Sequence, residues 1–315
     1  MMANGDTGIV LITGPTSGLG RALTLELVGR AESDRPDLLL VGRPGERLTE
    51  ITSLVRAGGA TAEAIPCDLS RLSDVRDAAA AAKDLLATGA VRPLRALVAN
   101  AGVSTADTRV ASADGYGMTF AVNYLAHAQL IGDLLDSFTA PARIVLLGSN
   151  VYRGTLGLRL MGVPGPEWRD PVEIAKPATG PKSPGMHVAG AAYATSKLAI
   201  LYYAHELQRR IGNEVAVSVF EPGFMPGTGL GRDYGPVLRA LGRVMAHLPG
   251  TASPARSGPA LASVVLDDRW AYLRDGAFVV IDKEAEVLPY AHDRERELRL
   301  WKATKELLKR PAIAS

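Results

Sequence analysis

The chain of 315 residues is long enough to bury a large α/β core. A hydrophobic fraction of 47% and a charged fraction of 22% exclude a disordered or highly charged polypeptide. The 35 basic and 33 acidic residues leave a net charge of +2 with no long basic run, which argues against nucleic acid as a partner. The one cysteine, Cys67, cannot form an intrachain disulfide and reads as a small apolar residue at a strand end. The opening "MMANGDTG" has neither a basic leader nor an apolar signal core, and no apolar run approaches the roughly 18 residues of a membrane span. A cytoplasmic protein without a membrane span is the expectation.

Short apolar runs then alternate with longer helical stretches. "GIVLIT", "DLLLVG", "TAEAIP", "LRALVA", "ARIVLLG", "EVAVSVF" and "GAFVVI" read as strands whose near-continuous apolar character suits a parallel sheet covered on both faces. Helices are expected over Leu19–Arg30, Arg47–Ala57, Ser73–Thr88, Ser112–Phe138 and Ala191–Ile211. This alternation predicts one α/β domain over residues 1–315, a doubly wound Rossmann-type parallel sheet of about seven strands with helices on both faces. Two stretches break the rhythm. Asn150–Gly190 is a Pro- and Gly-rich insertion at about 150–190, of a length usually functional or mobile. Gly223–Thr251 carries helical pieces such as "VLRALGRVMAHL". The tail Asp293–Arg310, in a C-terminal extension at about 290–311, alternates charges around Leu298, Trp301 and Leu308, as an amphipathic helix docked on the body does.

The turn after the first strand, "TGPTSGLGRAL", places Gly14, Gly18 and Gly20 before the first helix, with Thr16, Ser17 and Leu19 between them. Glycine there lets backbone N–H groups approach a pyrophosphate, and the helix N-terminus favours the anion. The Gly14–Gly18 interval is two residues wider than in the usual dinucleotide fingerprint. An NAD site wants Asp or Glu at the end of the second strand, but this chain reads "LLLVGRPGER". Arg43 suits the 2′-phosphate of NADP(H), or is a surface arginine opening the next helix. Asp68, beside Leu69 in "CDLS", either accepts from the adenine amino group or, with Ser70, caps the next helix. Asn100, Ala101 and Gly102 in "VANAG" fall where the chain passes the cofactor, although Asn100 serves equally well as a brace for the sheet.

The helix stretch "AYATSKLAI" sets Tyr193 four residues before Lys197, on one helical face. With Asn123 in "VNYLAH", Ser149 in "IVLLGS" and Pro222–Gly223 in "EPG", the ordered set resembles the short-chain dehydrogenase/reductase family. The long insertion and charged tail are most similar to its retinol dehydrogenase and protochlorophyllide reductase branch. The resemblance implies that Tyr193 is a general acid, its phenolate stabilised by Lys197 and the oxidised nicotinamide. It further implies that Lys197 bonds the nicotinamide ribose, Ser149 holds the substrate oxygen and Asn123 positions a water. Asn100 and Gly102 would line the cofactor and Thr228 would bond its carboxamide. The hydroxyl common in the family at the position of Gly227 comes one residue later here, and Pro15–Thr16 after Gly14 is an unusual choice.

Each residue also has a plainer role: Ser149 as a strand-end hydroxyl, Asn123 as a mid-helix polar group bonding the main chain. Tyr202 and Tyr203 read as packing, and His127 as a satisfied buried histidine. With no His/Cys cluster visible in the sequence, no metal site is expected. The resemblance implies NADP(H)-dependent reduction of a ketone or aldehyde. The insertion's Met161, Trp168 and Met186 either cover a bulky apolar substrate or anchor the loop. Reduction of a carbon–carbon double bond, or cofactor sensing without turnover, are the alternatives. The expected partner is a small carbonyl or alcohol compound. In the family the helices carrying Asn123 and Tyr193 can pair subunits, but the insertion and tail stand over that surface, leaving monomer and homodimer both open.

Overall fold

A computed structural model of the protein describes residues 7–160, 162–180, 185–225 and 251–309. The expected helical pieces between Val237 and Leu248, and the candidates Met161, Gly227 and Thr228, lie outside the described residues. All seven expected runs form strands: β1 (Ile9–Thr13), β2 (Asp37–Gly42), β3 (Ala62–Pro66), β4 (Leu94–Ala99), β5 (Phe138–Leu147), β6 (Val215–Glu221) and β7 (Ala277–Val280). They join in the order β3-β2-β1-β4-β5-β6-β7, all parallel. An eighth strand, β8 (Lys283–Glu284), pairs antiparallel with β7; two residues are too short to leave a pattern in the sequence. The strand order reverses between β1 and β4, so a crevice opens there at the C-terminal edge of the sheet.

Alternation along each strand divides the core in two. Val10, Ile12, Leu38, Leu40, Val98 and Phe220 face one side, covered by α1 (Gly18–Val28), α2 (Glu46–Ala57) and a later helix at Pro254–Leu266. Ile9, Leu11, Leu39, Leu97, Ile144 and Val219 face the other, covered by α3 (Leu72–Ala87), α4 and α5 (Gly185–Ile211). Helix α4 is made of Met118–Phe120, a π-helical turn at Ala121–Leu125, and Ala126–Leu134. It is shorter than the expected Ser112–Phe138. The Ser112 hydroxyl accepts the N–H groups of Asp114 and Tyr116, holding a turn that competes with helix, and Phe138 already belongs to β5. The helix Pro254–Leu266 is α6, and the tail forms α7 (Arg294–Lys309).

Helix α7 lies over α4 and α5. Tyr124 Oη meets Thr304 Oγ1 at 2.6 Å, Tyr116 Oη donates to the Leu307 carbonyl at 2.6 Å, and the Tyr203 and Trp301 rings stack. A buried ionic clamp completes the contact. The Glu297 carboxylate meets His205 Nδ1 at 2.8 Å and also Arg209, while Arg209, Arg210 and Arg294 converge on Glu206. His205, His292 and Glu297 offer ligand atoms within 4.8 Å of one another, a grouping that residues so far apart in sequence do not announce. The Arg209 guanidinium already neutralises Glu297, and two more arginines stand nearby, so the local charge opposes a further cation. Replacing Glu297 with Ala should leave His205 and Arg209 without their carboxylate and cost about 3 kcal/mol, read as a lowered urea midpoint.

Candidate active site

After β1 the chain turns through Gly14–Ser17 into α1. Gly14 adopts φ +67°, a conformation that side chains resist, immediately before Pro15. Gly20 is required by packing, because a Cβ there would stand 2.2 Å from the Gly14 carbonyl oxygen and 2.4 Å from Asn100 Nδ2. Gly18 opens α1 at φ +55°, with empty space where its Cβ would be. The Ser17 hydroxyl makes no capping bond, and no acidic residue occupies the first turn of α1. The helix therefore presents first-turn N–H groups and the positive end of its dipole with no side-chain cap and no carboxylate of its own first turn in front of them. Thr16 flanks this cradle in partial exposure, and Leu19 packs beneath it.

Other sequence candidates surround the same edge. Asn100 Nδ2 donates to the carbonyls of Thr13 and Gly14 at 2.9 and 3.2 Å, so its side chain braces the turn. Ala101 N–H donates to Thr13 Oγ1 at 3.0 Å, and Ala101 and Gly102 remain partly exposed. Arg43 is exposed just past β2. Asp68 turns back on Ser70, accepting its N–H and hydroxyl at 3.0 and 2.8 Å, while Leu69 is buried. Capping of α3 by Asp68 or Ser70 is corrected: the Leu72 N–H donates to Asp114 Oδ2 at 2.9 Å, from a segment 42 residues away. Gly223, at φ +85°, sits where a Cβ would be 2.7 Å from that of Ala252, and the Pro222 carbonyl accepts from Ser257 Oγ at 2.7 Å.

Helix α5 puts Lys197 Nζ 5.6 Å from the centre of the Tyr193 ring. Lys197 is only 4% exposed, and its ammonium donates to the Leu147 carbonyl at the end of β5, at 2.7 Å. Burial pushes its pKa down to about 8, with the charge of Glu221 acting in the opposite direction. Ser149, two residues past Leu147, caps a short turn at Asn150–Arg153 and accepts the Val151 N–H. Asn123 lies in the π turn, 1% exposed. Its Oδ1 accepts the Val103 N–H at 2.7 Å, and Nδ2 donates to the Val103 carbonyl and Ser196 Oγ. Those bonds brace the chain after β4 against α5.

His127 is a satisfied buried histidine. Its Nδ1 faces the Asn123 carbonyl at 3.1 Å, and since a carbonyl only accepts, this nitrogen carries the hydrogen. Nε2 then accepts from the Thr13 hydroxyl at 3.0 Å. Burial, with the charge of Lys197 adding, lowers the ring to about 4, so it is neutral near pH 7. Thr13 thereby links the cofactor turn to the π turn. Nothing in the sequence singled out Thr13 or Asp114, whose partners are distant in the chain; Glu221 stood there only as part of "EPG".

The insertion grips the opposite side of α5. Thr195 lies ~200° around the helix from both Tyr193 and Lys197, and its Oγ1 accepts the Glu167 N–H at 2.9 Å. Trp168 packs edge-on against Tyr202 with centres 4.7 Å apart, and Arg299 pairs with Asp170. Trp168 therefore anchors the loop; Met186 is 46% exposed. A cavity of about 400 Å³ lies under this segment, lined by Thr105, Phe120, Glu167, Arg169, Ala191 and Thr195, on the side of α5 turned away from Tyr193. Tyr202 and Tyr203 are buried packing residues, as expected. Among the described residues no helix is long and apolar enough to cross a membrane.

The chain is similar to known proteins over most of its length. A family model described as short chain dehydrogenase matches residues 8–156. Polyprenol dehydrogenase of Mus musculus is 31% identical over 315 aligned residues, covering 93% of this chain and 81% of that protein. Protochlorophyllide reductase A of Oryza sativa subsp. japonica is 29% identical over 334 aligned residues, covering 96% of this chain and 80% of that one. Among solved structures, a short chain dehydrogenase from Burkholderia cenocepacia J2315 in complex with NADP has the same fold, with a TM-score of 0.61 at 22% identity over 87% of this chain and 95% of that one. With the strand order, glycine turn and Tyr-x-x-x-Lys helix in place, the likeness to the mouse enzyme shows that this chain belongs to the short-chain dehydrogenase/reductase family of oxidoreductases.

Proposed function

We propose that the protein is an NADP(H)-dependent carbonyl reductase, reversibly an alcohol dehydrogenase, acting on a bulky apolar compound with Tyr193 as the acid. The observation that carries this function is the buried Lys197 ammonium, held beside the Tyr193 ring and bonded to the strand end that leads into Ser149. Positive charge next to a phenol stabilises phenolate, bringing an ordinary pKa near 10 toward the working range of an acid–base catalyst. A bound nicotinamide dinucleotide supplies the hydride to carbon, or accepts it in the reverse direction. Tyr193 gives its proton to the developing alkoxide, and Lys197 stabilises the phenolate left behind. Ser149 offers its hydroxyl to the same oxygen.

The cradle fits the dinucleotide's pyrophosphate by its uncapped helix N-terminus, and Lys197 stands to bond the nicotinamide ribose. The choice of NADP(H) rests on Arg43 and on the missing carboxylate at Gly42. Crowding does not explain that absence: a Cβ on Gly42 would meet its nearest atoms at 3.5 Å, in ordinary contact. The mouse relative's name specifies an apolar alcohol as substrate, which supports an apolar compound here. The protochlorophyllide reductase relatives favour a second reading, reduction of a carbon–carbon double bond. The chain's single thiol offers no proton for it, because Cys67 is buried beyond β3 and burial raises its pKa to about 12. Tyr193 would be the acid in that reaction too.

The deciding experiment is an NADPH-oxidation screen over ketones, aldehydes and enones, beside NADH. Tyr193→Phe should keep NADPH binding and lose about 10²–10⁴-fold in turnover; unchanged turnover would sink the assignment, and a wild-type protein that binds NADPH but turns over nothing would be a sensor. Lys197 has a folded pKa below the ordinary ammonium value, so its charge is present below about pH 8 and lost above it. Reduction rates should fall across that point. Gly42→Asp should move the cofactor preference at least about tenfold toward NADH in KM, by repelling the 2′-phosphate.

A further inference from the structure

β6 is buried along its whole length and ends in a carboxylate. Alternation decides where that carboxylate points: Phe220 packs with the α1, α2 and α6 face, so Glu221 turns to the face covered by α4 and α5. There it is 3% exposed. An ionised carboxylate in such a place must be satisfied from several sides. The Gly223 N–H donates to Oε1 at 2.8 Å, and the Asn150 N–H donates to Oε2. These donors come from two turns at the C-terminal edge of the sheet, one after β5 and one after β6.

Lys197 has the complementary problem. One of its three N–H donors goes to the Leu147 carbonyl, and a carbonyl dipole alone does not balance a buried unit charge. The groups near it are Tyr193 on its own helix, His127 on α4, which is neutral and unable to compensate, and Glu221, which follows Phe220, the β6 residue paired in register with Leu147. Tyr152, whose ring carries the Arg153 guanidinium over its face, borders Glu221 from the turn after β5. Among these groups Glu221 is the source of negative charge.

We propose that Glu221 is a positioning residue of the site: its buried carboxylate fixes the Ser149–Asn150 and Pro222–Gly223 turns and supplies the counter-charge of the Lys197 ammonium. Its consequence for turnover rests on the reaction proposed above, but its effect on Lys197 does not. The coupling is reciprocal: burial drives the Lys197 ammonium down and the Glu221 carboxyl up, and the charge of each opposes that drift in the other.

The test compares full-length wild-type protein with Glu221→Gln and Glu221→Asp, labelled with ¹³C-lysine and assigned with Lys197→Arg. Lys197 should titrate about one unit or more lower in Glu221→Gln and return toward the wild-type value in Glu221→Asp. A Lys197 titration unmoved by Glu221→Gln overturns the proposal. A folding role alone would lower stability in both variants without separating them in this readout. Should Glu221→Gln not fold, Lys197→Met reads the coupling from the other side: the Glu221 carboxyl should titrate at higher pH, and no change overturns the proposal. In turnover, the alkaline limb of kcat/KM should move to lower pH with the lysine. A wild-type protein that oxidises no NADPH removes the proposed reaction, while the lysine titration still decides the part of Glu221.

Discussion

A lysine ammonium cannot be moved from water into a sheet-and-helix core unless the core is built around it. Lys197 sits among buried neighbours on α5, and three separate strand ends contribute to its surroundings. β5 offers the Leu147 carbonyl, β6 ends in Glu221, and β1 ends in Thr13, whose hydroxyl keeps His127 in a neutral tautomer facing the charge. A protonated His127 would repel the ammonium; the hydrogen bonds on both ring nitrogens hold it in the form that does not. The parallel order of the sheet makes this possible, since it brings the carboxyl ends of these strands to one edge.

The glycine turn depends on the same edge. Asn100 at the end of β4 ties down the carbonyls of Thr13 and Gly14, and Gly20 lets α1 approach that bonded pair. The glycine turn and the Tyr193–Lys197 face of α5 are therefore tied into one hydrogen-bonded rim. A shift of β1 against β4 would disturb the Thr13–His127–Asn123 chain and the cradle together.

Much of this was legible in the sequence. Seven apolar runs gave seven strands, because most of them are buried on both faces and carry few polar residues to blur the pattern. The Tyr193–Lys197 spacing placed both groups on one helical face without further information. What escaped was what depends on distant partners. Asp114 caps α3 across 42 residues, and the Ser112 turn, with Gly115 at positive φ, occupies the stretch where a helix was expected to begin. Asn123 and Asn100 each had a catalytic or cofactor role and a bracing role open to them, and the bracing bonds emerge only when the facing main-chain groups are in position. Trp168, an exposed-loop aromatic by sequence, found Tyr202 only in three dimensions.

The last helix carries a consequence of its position in the chain. α5 bears both Tyr193 and Lys197, yet much of what holds its outer face, from the Glu297 clamp to the Trp301 stack, comes from residues 294–309. During synthesis from the N-terminus β1 to β6 can pair early, whereas α5 is fastened on that side only after a long stretch of further chain has been made. Until then His205 and Glu206, buried in the finished fold, stand open to solvent, and the helix is secured in a late step.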